Sequence, residues 1–226
     1  MGGWILFIAI GLIGFIVQNV LQRKFRKYSQ VAIRGGYTGA DIARMMLRDN
    51  GINDVQVVPH EGTLSDHYNP ATKTVALSNE VFYSNSVAAA AVAAHECGHA
   101  VQHATAYSML TLRSNLVPVV SFASSWVQWV LLAGIFLVNT MPAILWLGIT
   151  LFALTTLFSF VTLPVEIDAS HRAMKWLERA HITDGQTHDF AFDALKWAAY
   201  TYVVAALSSL ATLIYYVMMA MGRSDD

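Results

Sequence analysis

The string His95-Glu96-Cys97-Gly98-His99 holds three residues of the types and spacing that a metal-dependent hydrolytic centre requires. On a helix with about 3.6 residues per turn, His95 and His99 project from one face and can meet a single ion, while Glu96 emerges one position round. Imidazole nitrogen suits zinc, and water on zinc becomes acidic enough to act as a nucleophile near neutral pH, with Glu96 as the base that takes its proton. Five positions with three fixed also arise by chance. The surroundings argue against chance here, because two histidines and a glutamate in an otherwise apolar, alanine-rich run are costly to bury without a partner.

Catalytic zinc normally takes three protein ligands and leaves one position for water. His103 shares the face, but two turns from His95 it lies about 12 Å along the axis, which marks it as a surface residue or one that supports a ligand. His60 and His67 flank a loop and are either solvated or line a cleft. Glu166, the first charged residue after a long apolar stretch, is the stronger candidate, in the segment LPVEIDASHRAM, where Pro164 can open a helix. A structural reading stays open beside it, since a carboxylate is favoured near a positive helix N-terminus. If His95, His99 and Glu166 are the ligands, Asp168 or Ser170 can orient a histidine from behind. His67, Tyr68, His171 and Arg172 are candidates for stabilising an oxyanion, which requires a donor within about 3 Å of the developing charge. Cys97 points off the histidine face and reads as a small core residue.

The elements that must position these groups divide into apolar and mixed segments. Of the 226 residues, 55% are hydrophobic and 13% charged, a balance foreign to ordinary soluble domains. The formal net charge of -1 gives no excess with which to hold a phosphate backbone, so nucleic acid is excluded as a partner class. One cysteine cannot form an intrachain disulfide. Trp4 to Leu21 carries no charge and reads as a retained membrane helix rather than a cleaved signal, because no basic residue precedes it and Arg23, Lys24, Arg26 and Lys27 follow it. No charged residue or histidine lies between Arg113 and Glu166, a run too long for one crossing. It is expected to fold into a hairpin of about Val117 to Val138 and Ala143 to Leu163, turning at Asn139 to Pro142. A fourth span is expected from Tyr200 to Met221, closed by Gly222 and Arg223. The basic residues beside the first span place the intervening segment in the cytoplasm and both termini outside.

Between the first two spans, Thr38 and Asp41 form a capping-box pattern ahead of a short amphipathic helix stopped at Gly51. Two strands are expected, at Val55 to Val58 and at Lys73 to Leu77 after the turn signal Asn69-Pro70, the second of them pairing with an extended substrate. A long helix is expected from a cap near Asn85 through the HECGH string. The fold class is therefore a mainly α membrane protein, with four transmembrane helices and a small α+β zincin-like cytoplasmic domain. Its expected parts are residues 1–21 (helix 1), 22–115 (the domain), 116–163 (the hairpin), 164–199 (a cytoplasmic helical segment with the third ligand) and 200–226 (helix 4 and a tail).

The segments HECGHAVQ, PVEIDASHRA and ALKWAAYTYVVAAL, in this order among four spans, resemble the YugP-like family of neutral zinc metallopeptidases of bacterial membranes. The resemblance covers nearly the whole chain and is distantly similar in layout to the HtpX type. It implies a membrane-anchored zincin of the gluzincin kind, with one zinc ion on His95, His99 and Glu166, Glu96 as catalytic base, and a peptide or protein substrate, membrane proteins among them. One position departs from the better-studied relatives: they carry an Asp four residues after the ligand Glu, where this chain has Ser170, with Asp168 nearby. The expected protein is a multi-pass zinc endopeptidase of the bacterial inner membrane with its site facing the cytoplasm. Two rivals are an intramembrane protease, whose HECGH helix would itself be a full span, and a non-enzymatic scaffold or chaperone-like protein with a structural metal. The scarcity of cysteine speaks against the second, since structural zinc is usually closed by four ligands.

Overall fold

The computed structural model describes residues 2–63 and 65–222, with side chains from residue 5 onward. Arg223, expected to close the last span, lies outside the described residues, as does the side chain of Trp4 at the start of the first. The elements in chain order are α1 (Gly2–Tyr28), α2 (Gly39–Asp49), β1 (Gln56–His60), β2 (His67–Asn69), β3 (Thr74–Ser78), α3 (Asn79–Phe82), α4 (Val87–Ala104), α5 (Ser108–Phe136), α6 (Pro142–Arg179) and α7 (Gly185–Met221). Four of them, α1 from Ile5 on, α5, α6 and α7, are long and apolar enough to cross a membrane. The helix α4, which carries HECGH, is not among them.

The chain forms two compact units. The first comprises residues 1–16, 111–163 and 201–226. Its helices pack closely through small residues: a Cβ built on Gly134 would stand 2.5 Å from the Leu145 Cα, and one on Gly148 would stand 2.9 Å from the Leu131 side chain. Leu131, Leu145, Ile149 and Ala220 form its core, and Phe122, Trp126, Trp129 and Phe136 face outward, as lipid-facing side chains do. Pro142 starts α6, where its missing N–H costs nothing.

The second unit comprises residues 17–110 and 164–200. The capping box opens α2 as expected: Asp41 N–H donates to Thr38 Oγ1 at 3.2 Å and Thr38 N–H donates to Asp41 Oδ2 at 3.0 Å. Ile42, Met46 and Leu47 of α2, Val75 and Leu77 of β3, and Trp176, Leu177 and Leu195 are buried around α4, which is itself buried at nearly every residue from Val87 to Gln102. Its alanines are what allow neighbours to close in on all sides. The start of α7 is tied to the end of α1, where Tyr28 Oη donates to Asp193 Oδ2 at 2.6 Å and Lys24 Nζ lies 2.7 Å from the same oxygen.

Several expectations need correction. The cap of α4 is Ser86, not Asn85, and its hydroxyl accepts from Ala89 N–H at 3.2 Å. The helix expected from Val117 begins at Ser108. Pro164 does not open a helix but lies inside α6. A proline forfeits one ladder bond, and here the buried stripe Val165, Ala169, Ala173 and Leu177 holds the following turns in helical register. Among the described residues there are three strands where two were expected, because β2 has only three residues and no periodicity to announce it. The sheet order is β1-β3-β2, with β1 parallel and β2 antiparallel to β3. The strand at Lys73 to Leu77 is thus central, both its edges are taken, and it cannot pair with a substrate.

Candidate metal centre

Two helices of the second unit supply the chemistry. One helical turn separates His95 from His99 on α4, and Glu166 enters from α6. Glu166 Oε2 lies 3.3 Å from His95 Nε2 and 3.6 Å from His99 Nε2, and one donor atom from each of the three falls within 4.8 Å of the others. Four ligands held tetrahedrally at about 2.0–2.1 Å from zinc are about 3.3–3.5 Å apart, so the spacing suits that ion. The close approach of the helices depends on Gly98, where a Cβ would stand 2.6 Å from the carbonyl oxygen of Ala169, one turn after Glu166. That contact explains a glycine in the middle of an otherwise alanine-rich helix.

The remaining nitrogens of the two imidazoles are both engaged. His99 Nδ1 lies 3.0 Å from Gln102 Oε1. Gln102, wholly buried, donates through Nε2 to the Val165 carbonyl and to Asp168 Oδ2, both at 2.8 Å. Asp168 Oδ2 also accepts from Arg172 Nε at 2.5 Å. His95 Nδ1 lies 3.1 Å from Ser170 Oγ. Such partners turn the Nε2 lone pairs toward a common point. Of the two residues considered for orienting a histidine, Ser170 reaches His95 directly and Asp168 reaches His99 only through Gln102. Sequence reasoning missed Gln102, although His95, His99 and Gln102 follow the i, i+4, i+7 pattern of a single helix face.

Burial alone would lower the pKa of His99, but its hydrogen bond to Glu166 and the charges of Glu96 and Glu166 leave it raised, so this place favours positive charge. Glu96 is buried, yet among the described residues its carboxylate has no hydrogen bond or ion pair. Cys97 is buried and its Sγ donates to the Ala43 carbonyl at 3.5 Å, and burial pushes its thiol pKa up, so it is an inert core residue.

The other sequence candidates lie elsewhere. His103 is exposed, its Nδ1 2.8 Å from the Tyr68 hydroxyl. His60 and His67 are exposed and stack edge to face at 5.4 Å. Among the oxyanion candidates, Arg172 is committed to Asp168, Tyr68 to His103, His67 Nδ1 to the Ser65 carbonyl, and His171 is exposed on α6.

A family model described as "Putative neutral zinc metallopeptidase" matches residues 3–221 of the chain. The chain belongs to that family. It is 40% identical over 223 residues to the "Putative membrane protease YugP" of Bacillus subtilis strain 168, covering 98% of each protein. No solved structure matches it. For a member of a zinc metallopeptidase family, the His95, His99 and Glu166 cluster has added weight: among the described residues it is the one group of three or more His, Cys, Asp or Glu with donor atoms this close together.

Proposed function

We propose that this chain is a membrane-bound zinc endopeptidase in which His95, His99 and Glu166 hold one zinc ion and Glu96 is the general base. The observation that carries the reading is the meeting of three donors, one Glu166 oxygen 3.3 and 3.6 Å from the two Nε2 atoms and one donor atom of each residue within 4.8 Å of the others, with both Nδ1 atoms tied back. Zinc bound there supplies Lewis acidity toward a carbonyl and acidifies water. Glu96, a buried carboxylate with no hydrogen bond or ion pair among the described residues, would take a proton from the attacking water and pass it to the leaving amine. An extended substrate would pair with the outer edge of β2. That strand has no partner on its far side among the described residues, and its Tyr68 reaches the helix that carries HECGH.

The second unit serves as the zincin-like domain. The basic residues Arg23 to Lys27 set it in the cytoplasm of a bacterial cell, at the inner membrane. The division into a helix to residue 21, a domain at 22–115, a hairpin at 116–163, a ligand-bearing segment at 164–199 and a last helix is part of the same proposal.

The test uses the full chain in detergent with an unstructured protein as substrate. Hydrolysis should stop with a chelator and return with zinc. Glu96→Gln should abolish hydrolysis, by about 100-fold or more, while zinc content stays near one ion per chain. Loss of zinc in that variant would make Glu96 a ligand and overturn the assignment.

A further inference from the structure

The two histidines are supported by different chemistry. A serine hydroxyl can accept or donate, so Ser170 beside His95 Nδ1 leaves the tautomer of that ring to other forces. Gln102 has no such freedom. Its side chain is wholly buried, and one end of its amide meets two acceptors, the Val165 carbonyl and Asp168 Oδ2, each at 2.8 Å. Only the NH2 group can satisfy two acceptors, so that end is nitrogen and the other is the carbonyl oxygen, which stands 3.0 Å from His99 Nδ1. A carbonyl only accepts. His99 must therefore carry a proton on Nδ1, and its neutral ring presents the Nε2 lone pair toward Glu166 and the space they share.

We propose that Gln102 is a positioning residue, an amide relay through which Asp168 fixes the tautomer and ring plane of His99. The inference rests on the zinc-site reading above. Asp168 cannot reach the imidazole itself, and the amide spans the gap while reversing the sense of the contact from donor to acceptor. Arg172 Nε, donating at 2.5 Å to the same Asp168 oxygen, holds that carboxylate aimed at the amide. The relay takes the part that a carboxylate bound directly to a ligand histidine plays in other zinc sites. It also accounts for a wholly buried glutamine one turn beyond His99, which packing alone would fill with an apolar side chain.

The donor end of the relay can be exchanged chemically, since a glutamate at this position still offers an oxygen to His99 Nδ1–H but no donor to Asp168. In Gln102→Glu the introduced carboxylate nearly matches the amide in shape, but it cannot donate to Val165 and repels Asp168. Adding Asp168→Asn restores a donor facing that carboxylate. The Val165 carbonyl keeps the N–H of its own helix as a partner. Zinc affinity is measured by chelator competition on the detergent-solubilised full chain, with His95→Ala and Glu166→Ala as references. Gln102→Glu should bind zinc about 10–100-fold more weakly than the parent, and the double variant should return to within about threefold of it. A glutamine that only fills space would leave zinc affinity at the parent value in Gln102→Glu, which nearly keeps its shape. Parent affinity in Gln102→Glu, or a double variant no tighter than the single one, would overturn the relay. If Gln102→Glu does not fold, Asp168→Ala, at a partly exposed site, still decides: weaker binding by several-fold supports the relay and parent affinity overturns it. Full zinc retention in both reference variants would instead remove the zinc site itself, and the relay with it.

Discussion

Gly98→Ala tests whether the approach of α4 to α6 sets the metal site. In an open helix this change stabilises by about 1 kcal/mol, because alanine is the better helix former. Here the new Cβ would lie 2.6 Å from the Ala169 carbonyl oxygen and 3.1 Å from the Ala169 Cα and carbonyl carbon. The oxygen contact falls short of ordinary van der Waals separation by about 0.8 Å, and the obstacle is backbone, which cannot rotate away. Overpacking of this kind costs about 1–3 kcal/mol, so the propensity gain is cancelled or exceeded. The larger effect concerns the metal. Ala169 is three residues from Glu166 and Gly98 adjoins His99, so a displacement of about 0.8 Å exceeds the roughly 0.5 Å tolerance of a positioned ligand set. We expect zinc affinity to fall at least about tenfold, worth about 1.4 kcal/mol, with thermal stability of the metal-free protein equal to or below the parent. Chelator competition and thermal unfolding in detergent measure the two effects. Gly11→Ala is the control, since a Cβ there meets nothing within 4 Å and zinc binding should not change. Parent zinc affinity in Gly98→Ala, or a protein stabilised like a simple glycine replacement, would refute the argument.

Glu166→Ala should lose zinc about as badly as His95→Ala, while His103→Ala, at an exposed position, should retain it; zinc content of the purified variants decides, and the opposite pattern would put all three ligands on α4. A cysteine at Ser65 should be protected from impermeant thiol reagents in intact cells and one at Ser224, outside the described residues, should be labelled; the single native thiol, Cys97, is buried and should stay silent. In the capping box, the Thr38 side-chain and backbone hydrogen bonds hold Asp41 below its ordinary pKa. Stability from such a depressed carboxylate is present above its unfolded pKa near 3.8 and is lost as pH falls through the folded value. Asp41→Asn should therefore destabilise the protein at pH 7 by an amount typical of a lost cap, about 1 kcal/mol, read as a lower thermal midpoint, and the gap from the parent should begin to close below about pH 4.

What the sequence disclosed was local. Thr38 and Asp41, the HECGH face and the turn before Pro142 each depend on residues within a few positions of one another, and helical periodicity is enough to read them. Glu166 was legible because a lone carboxylate after a long uncharged run has few structural uses. Gln102 was not, since it was read only as a polar marker near the end of an apolar stretch, and its worth depends on Val165 and Asp168 in another helix. The central place of β3 was equally hidden, because strand order is set by pairing between distant segments, and one partner, β2, is only three residues long. Pro164 misled for the converse reason: the local rule for proline was outweighed by the buried stripe from Val165 to Leu177 that follows it.

The donors come from opposite ends of a long stretch of chain, His95 and His99 before α5 and Glu166 well inside α6. A ribosome therefore releases the helix with Glu96 long before the carboxylate that completes the donor set. Until the residues of α5 and the first turns of α6 have been made, the nascent chain has the two histidines and Glu96 but not Glu166. On the proposed assignment, the donor set, and with it any capacity to cut, is complete only once the two ends of this stretch have met.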